Sequence, residues 1–354
     1  MSNDRYHRQM LLPEIGAEGQ ARLAEARVLV IGCGALGCGV SDLLTRAGVG
    51  HLRLIDRDVV EPTNLQRQVL FDQEDADHAR PKAIAAAARL KAINPTMNVE
   101  PVVDDFRHDI ALQLTNDIDV LVDGLDNLEG RYLLNDVAVH RGLPYVYAGA
   151  VGTEGLVTAL LPQHSGQDGR ISWPASEAGP CLRCLFPEPP PSGTLPTCDT
   201  AGVLGPTVAA VTAHQASLTM RLICAGTSGI DRSLHSIDPW HGLARRVTAD
   251  RPRDDCPCCS GRQFEWLEGK RQAHTEILCG RSTVQIRPAR PGMVNLEKLA
   301  TRWQAHGHVA QDQHALRLDC PDGTRLTVFA DGRALVGADD LATARALYAQ
   351  LIGS

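Results

Sequence analysis

At 354 residues the chain exceeds what one hydrophobic core usually serves, so a large domain with a smaller companion is expected. Apolar residues at 44% and charged residues at 22% exclude a disordered chain, and a net charge of −7 gives no electrostatic reason to bind nucleic acid. No apolar run approaches the ~18 residues that span a bilayer, and the polar start Met1-Ser-Asn-Asp-Arg5 is no secretory signal, so a cytoplasmic protein without a membrane partner is expected.

The segment Arg5-Tyr-His-Arg8-Gln9 comes first, ahead of a short helical stretch near Glu18 to Glu25. Nothing in its own pattern explains two arginines, and read alone it is a solvated arm. Val28 to Ile31, all apolar, then run straight into Gly32-Cys-Gly34-Ala-Leu-Gly37, and Leu36, Val40, Leu43 and Leu44 follow at helical spacing. The glycines therefore sit at a strand-to-helix turn. Gly32 and Gly34 allow a tight bend and close backbone approach, Gly37 lets helix and strand pack, and the helix N-terminus offers free N–H groups to a phosphate. A second strand, Val49 to Asp56, ends on a carboxylate placed to meet ribose hydroxyls. A lone Gly-x-Gly-x-x-Gly is a weak signal, but with strand, helix and acid around it the unit predicts a nucleotide site.

Beyond Asp58 comes the polar run Asn64-Leu-Gln-Arg67-Gln68. Pro81-Lys82 opens an amphipathic helix through Ile84, Leu90 and Ile93, which Asn94-Pro95 stops. Lys82 then lies at a helix N-terminus, where its charge opposes the macrodipole unless an anion sits there; a snorkelling surface lysine is the other reading. Val99 to Val103 and Ile118 to Val122 are the next strands. The second leads into Asp123-Gly-Leu-Asp126-Asn127, and acids just past a parallel strand lie where open α/β sheets hold their ligands. A helix over Arg131 to His140, a strand Tyr145 to Gly149 and an antiparallel continuation Val157 to Leu161 follow. The alternation predicts an α/β fold with a Rossmann-like, doubly wound, mostly parallel sheet.

From Gln163 to Pro206 Gly, Pro, Ser and Thr dominate, which predicts a long crossover loop, and it carries Cys181-Leu-Arg-Cys184 and Cys198. A largely apolar helix, Thr207 to about Cys224, comes next, and its His214 reads as a core or interface residue. The chain holds 11 cysteines, which in a reducing compartment point to metal or thiol chemistry more than to disulfides. Cys181 and Cys184 with Cys256 and Cys259 suit a tetrahedral Zn2+, Cys258 being the less well spaced alternative to Cys259. Such a zinc would pin the crossover loop and, wholly sulfur-bound, keep no open position for chemistry. We divide the chain into residues 1–262 and a small C-terminal α+β domain, 263–354. The latter reads as strand Thr283 to Ile286, helix Leu296 to His306 capped by Asn295, strands Leu316 to Leu318 and Arg325 to Phe329, a turn at Asp331-Gly332, and a helix from about Leu341 to Leu351. Its Cys279-Gly-Arg-Ser-Thr stretch is only faintly like a persulfide loop, and an ordinary cysteine is the better reading.

Taken by residue type, the polar groups suit phosphoryl chemistry rather than hydride transfer. Arg67 and Lys82 are cations near a phosphate-binding turn, and Asp126 is a strand-end carboxylate able to hold Mg2+. The glycine turn, Asp56-x-Asp58, Asn64-Leu-Gln-Arg-Gln68, Arg80-Pro-Lys82, Asp123-Gly-Leu-Asp-Asn127, the two Cys-x-x-Cys pairs and Thr197-Cys-Asp-Thr-Ala-Gly202 occur in this order. Together they resemble the ThiF/MoeB/HesA family, bacterial relatives of ubiquitin-activating enzymes, over about Arg5 to Cys259.

The resemblance implies ATP-dependent adenylation of the C-terminal glycine carboxylate of a ubiquitin-like sulfur carrier of ThiS/MoaD type, ending in Gly-Gly, in thiamine or molybdopterin biosynthesis. It implies that Arg67, Lys82 and, from the other subunit of a homodimer, Arg8 meet the phosphate charge. Asp126 would hold Mg2+, Asp56 would bind the ribose, and Asn64 would line the nucleotide site. The family's match to Cys198 takes part in covalent sulfur transfer in some members and not in others, so a direct role and an ordinary loop cysteine both stay open. A cysteine desulfurase or other sulfur donor is a further implied partner. Relatives that adenylate a peptide terminus or a tRNA-linked carboxylate supply the second enzyme reading, and a zinc-stabilised nucleotide scaffold without turnover is the third. Short members end soon after the second cysteine pair, so the resemblance assigns no role to the C-terminal domain.

Overall fold

The computed structural model describes residues 3–163, 170–190, 198–248, 251–271, 283–286, 294–338 and 340–352; Thr197 and Cys279 lie outside them. The first eight strands are β1 (Arg27–Ile31), β2 (His51–Ile55), β3 (Asn98–Val102), β4 (Val120–Asp123), β5 (Tyr145–Val151), β6 (Glu154–Leu160), β7 (Leu234–Asp238) and β8 (Leu243–Val247). They form one sheet in the order β3-β2-β1-β4-β5-β6-β7-β8, parallel from β3 to β5 and antiparallel from there on.

The unbroken apolar runs of β1 and β4 follow from burial on both faces. Val28 and Val30 pack with Leu36, Val40 and Leu44 of the helix Ala35–Ala47, with Leu90 of the helix Lys82–Ile93, and with Val208, Val211 and Leu222 of the helix Gly205–Ala225. Leu29 and Ile31, pointing the other way, pack with Tyr132, Leu133 and Val137 of the helix Leu128–Arg141. The order reverses between β1 and β4, and such a switch point opens a crevice at the strands' C-terminal ends.

The expected elements are found with shifted edges. β2 begins at His51 because Gly48, at φ 87°, caps the preceding helix and Val49 N–H still bonds Leu44 O. The helix expected from Arg131 starts at Leu128, since the Asn127 side chain accepts Gly130 N–H at 2.8 Å. The hairpin β7–β8 has no counterpart in the sequence reading, because β8 is exposed throughout and shows no alternation. Within the crossover, short helices cover Leu182–Leu185 and Cys198–Ala201. Among the described residues no helix is long and apolar enough to cross a membrane.

A second sheet of five antiparallel strands, in the order β10-β11-β12-β13-β9, comprises β9 (Thr283–Ile286), β10 (His308–Gln311), β11 (Ala315–Asp319), β12 (Arg325–Phe329) and β13 (Ala334–Gly337). Helices Leu296–Trp303 and Leu341–Leu351 cover it, with Trp303 fully buried. The β-α-β-β-α expectation therefore lacked two strands. β10 buries only Ala310 and carries no hydrophobic signature of its own, whereas β13 buries Ala334, Leu335 and Val336, an apolar run too short to be told by pattern from the turn before it.

Candidate active site

Gly32 ends β1 at φ +89°, and a Cβ there would stand 2.5 Å from Gly124 O. A Cβ on Gly37 would stand 1.8 Å from Gly32 O, so the turn admits only glycine at both positions. The loop after β4 is thus seated, backbone against backbone, on the turn after β1. In front of Gly34 a Cβ would meet nothing nearer than Gly124 O at 3.8 Å, which leaves the N-terminus of the helix Ala35–Ala47 approachable by a phosphate.

Asp56 joins the same crevice. Its carboxylate accepts Cys33 N–H at 2.6 Å and Asp58 N–H at 2.7 Å, tying the exit of β2 to the glycine turn. Each oxygen keeps a second lone pair for a ribose hydroxyl. Burial pushes this carboxyl up, while Lys82 pulls it down. Lys82 itself is 3% exposed, with Nζ 3.2 Å from Asp58 Oδ2, so the snorkelling reading is excluded. The structure places a buried ammonium at a helix N-terminus, beside the glycine turn.

Arg57 was missed by motif reading, although its place between two acids of Asp56-x-Asp58 was a usable signal. Its Nη1 lies 3.1 Å from Asp105 Oδ2. Burial opposes its charge, but Asp105, Asp58, Asp126 and Asp56 hold it above the ordinary arginine value. Asp126 is exposed at the crevice and, among the described residues, accepts only its neighbour Asn127 Nδ2–H at 3.3 Å.

The loop bearing Asp126 is fixed from below. Asp123, fully buried, accepts Tyr145 O–H at 2.6 Å and Leu125 N–H at 2.9 Å, and Arg131 Nε lies 3.3 Å away. Arg131 Nη2 also donates to Leu125 O and Ala148 O, and Gln215 Nε2 donates to Asp123 O and Val146 O. Burial raises the Asp123 carboxyl and Arg131 lowers it. Arg131→Leu should therefore leave a buried carboxylate unpaired and cost about 3–5 kcal/mol in urea unfolding, and a loss below about 1 kcal/mol would refute this role.

Asn64 is wholly buried, its Oδ1 accepts Glu61 N–H at 3.0 Å, and its Nδ2 has no hydrogen-bond partner among the described residues. An orphan buried donor costs about 1–3 kcal/mol, a debt that a ligand oxygen would cancel. Arg67, on the same loop, is turned back to Thr63 O at 2.8 Å rather than into contact with Lys82 or Asp126. Arg8 is exposed on the short helix His7–Met10, whose segment is docked by Arg5 to Ile93 O and by Asn94 Nδ2 to Tyr6 O–H, not a free arm. Cys198 Sγ donates to Ala150 O at 3.2 Å, at the C-terminal end of β5 and so on the crevice edge of the sheet.

Away from the crevice, Cys181 and Cys256 sulfurs are 3.5 Å apart, Cys184 and Cys259 3.5 Å, and Cys181 and Cys184 3.8 Å, all within 4.8 Å of one another. Tetrahedral zinc with ~2.3 Å bonds needs sulfurs about 3.8 Å apart, so this donor set suits zinc. Cys258 is engaged elsewhere, donating to Asp136 Oδ1 at 3.3 Å and accepting Asn135 Nδ2–H at 3.2 Å. The geometry thus groups Cys259, the ligand its spacing favours, and not Cys258 with the other three sulfurs.

Comparison with known proteins agrees with this geometry. The sulfur carrier protein ThiS adenylyltransferase of Bacillus subtilis (strain 168) is 37% identical over 352 residues, 99% of each chain. The sulfur carrier protein adenylyltransferase of Thermus thermophilus is 40% identical over 257 residues, 72% of this chain and 90% of that one. The crystal structure of E. coli MccB with ATP shares the fold at a TM-score of 0.58 and 23% identity, over 73% of this chain and 75% of that one. Residues 6–258 match the ThiF family model, and the chain belongs to the ThiF family.

Proposed function

We propose that the protein is an adenylyltransferase that activates the C-terminal glycine carboxylate of a ubiquitin-like sulfur carrier with ATP, in thiamine or molybdopterin cofactor biosynthesis. The observation that carries this reading is the end-to-end similarity to an enzyme named for adenylating ThiS. A carboxylate oxygen of the carrier attacks the α-phosphorus of ATP, the bond to the bridging oxygen breaks, and pyrophosphate leaves. Lys82 and Arg67 meet the charge that grows on the phosphoryl oxygens, Arg67 after swinging off Thr63, with Arg8 supplied by the second subunit of a homodimer. Asp56 takes the ribose, and the free Asn64 donor takes a nucleotide oxygen. Mg2+ on Asp126 would neutralise charge on the departing pyrophosphate. Zinc in the cysteine cluster serves structure alone, and within residues 263–354 the small domain proper begins beyond Trp266 and Leu267, whose N–H groups bond Asp136 of the large domain.

The decisive experiment incubates purified protein, Mg-ATP and a candidate Gly-Gly carrier and looks for the carrier–AMP adduct by mass spectrometry. Carrier-dependent ATP–pyrophosphate exchange should accompany the adduct, and absence of both with the cognate carrier sinks the activity. A sulfur donor such as a cysteine desulfurase acts downstream, and the role we assign to Cys198 is attack of its thiolate on the acyl-adenylate carbonyl, forming a thioester as the C–O bond to AMP breaks and AMP leaves. Cys198→Ser should leave adduct formation within about twofold and slow thiocarboxylate formation by at least about tenfold. An unaltered thiocarboxylate rate removes the cysteine from the mechanism.

A further inference from the structure

The C-terminal sheet meets the large domain at the segments that follow β2 and β3, on the scaffold of the nucleotide crevice. Ala310, Ala315, Phe329 and Leu335 share one apolar cluster with Val59 and Ala79. Arginines surround this cluster. Arg317 Nη1 donates to Ala76 O at 3.4 Å, Arg325 Nη1 lies 3.4 Å from Glu61 Oε1, and Arg80 lies 3.9 Å from Asp312.

The most deeply placed is Arg333, 1% exposed and stacked 4.1 Å over the Phe329 ring. Its Nη2 donates to Val103 O at 2.9 Å and its Nη1 reaches Arg57 O at 3.5 Å. A guanidinium is a rigid planar fork, so it sets the spacing of the two carbonyls it spans. Both lie at crevice positions. Arg57 follows Asp56, and Val103 follows Val102, whose carbonyl accepts Asp56 N–H at 3.1 Å. Asp56 in turn holds Cys33 N–H, so a shift at Arg57 is passed to the acid and to the glycine turn together. The second link reaches the other ligand group, since Glu61 and Asn64 cap each other and Arg325 grips Glu61.

We propose that the C-terminal unit is a brace for the nucleotide crevice and that Arg333 is the positioning residue through which it aligns Asp56. This rests on the proposed role of Asp56 toward the ribose. Simple domain glue would need neither carbonyl in particular.

The test measures dissociation constants of ATP and 2′,3′-dideoxyATP by calorimetry on the full-length protein, with melting temperatures alongside. A hydroxyl bonded to a carboxylate should favour ATP by about tenfold or more in the unaltered protein. Arg333→Lys keeps the charge and loses the fork. It should weaken ATP about fivefold to tenfold, barely move the dideoxy analogue, and so collapse the preference. A lower melting temperature with the preference intact overturns the proposal. Should Arg333→Lys not fold, Arg325→Ala, whose side chain is 48% exposed, decides, with ATP expected to weaken about threefold and an unchanged affinity overturning the brace. Asp56→Asn separates the two readings. If it leaves the preference intact, the ribose role fails by itself, and the brace then stands or falls on whether Arg333→Lys weakens ATP at all.

Discussion

Lys82→Met should lower carrier-dependent ATP–pyrophosphate exchange by about 10²–10³-fold, the loss typical when one preorganised donor to a developing charge is removed. The expectation comes from where the ammonium is kept. At 3% exposure it works in a medium of low effective dielectric, where a charge acts far more strongly on a nearby phosphoryl group than it would in water. It is also held in place before substrate arrives, by Asp58 at 3.2 Å, so little reorganisation remains at the moment of reaction. The substitution leaves Asp58 without its ammonium, but Arg57 Nε already lies 3.9 Å from that carboxylate, so the chain should stay folded. Thermal melting checks the fold and exchange kinetics check the chemistry. A folded variant within about fivefold of the parent rate would remove Lys82 from the machinery.

The strand–turn–helix unit was legible because its residues satisfy several constraints at once: an apolar run buried on both faces, glycines where backbones collide, and a helix stripe at period 3.6. Asn127 starts its helix through its own side chain, but within the polar run Asp123-Gly-Leu-Asp-Asn127 that cap was not legible, and the helix is expected only from Arg131. Lys82 was legible as a position and not as an environment, since a lysine at a helix start reads alike whether buried or snorkelling. Arg131, Gln215 and Arg333 left no mark in the pattern. Gln215 and Arg333 act on backbone carbonyls distant in sequence and Arg131 on carbonyls of the loop after β4 and of β5, and only folding decides which partners those are. The strands β8 and β10 escaped for the opposite reason, because edge strands that bury almost nothing need no alternation to exist.

Cys256→Ser should release zinc and soften the whole crossover, and Cys258→Ser should do neither. The purified chain is expected to carry one zinc per molecule by metal analysis. The cluster closes the long stretch from Cys184 to Cys256, and a clip across a long loop removes the most chain entropy from the unfolded state. It also stands on the large domain's own helix. Leu182 N–H bonds Asn135 Oδ1 at 2.7 Å, and Asp136 Oδ2 accepts Trp266 and Leu267 N–H, so metal loss frees both segments from Leu128–Arg141. A loss on the order of 5 kcal/mol would lower the melting midpoint by about 10 °C for a chain of this size, and a chelator should reproduce it. Cys258→Ser keeps all four sulfurs of the cluster and replaces a thiol hydrogen bond to Asp136 with a hydroxyl one, so zinc content should stay at one. Zinc lost from Cys258→Ser and kept by Cys259→Ser would reverse the ligand assignment, and a metal-free parent chain would abolish the clip altogether.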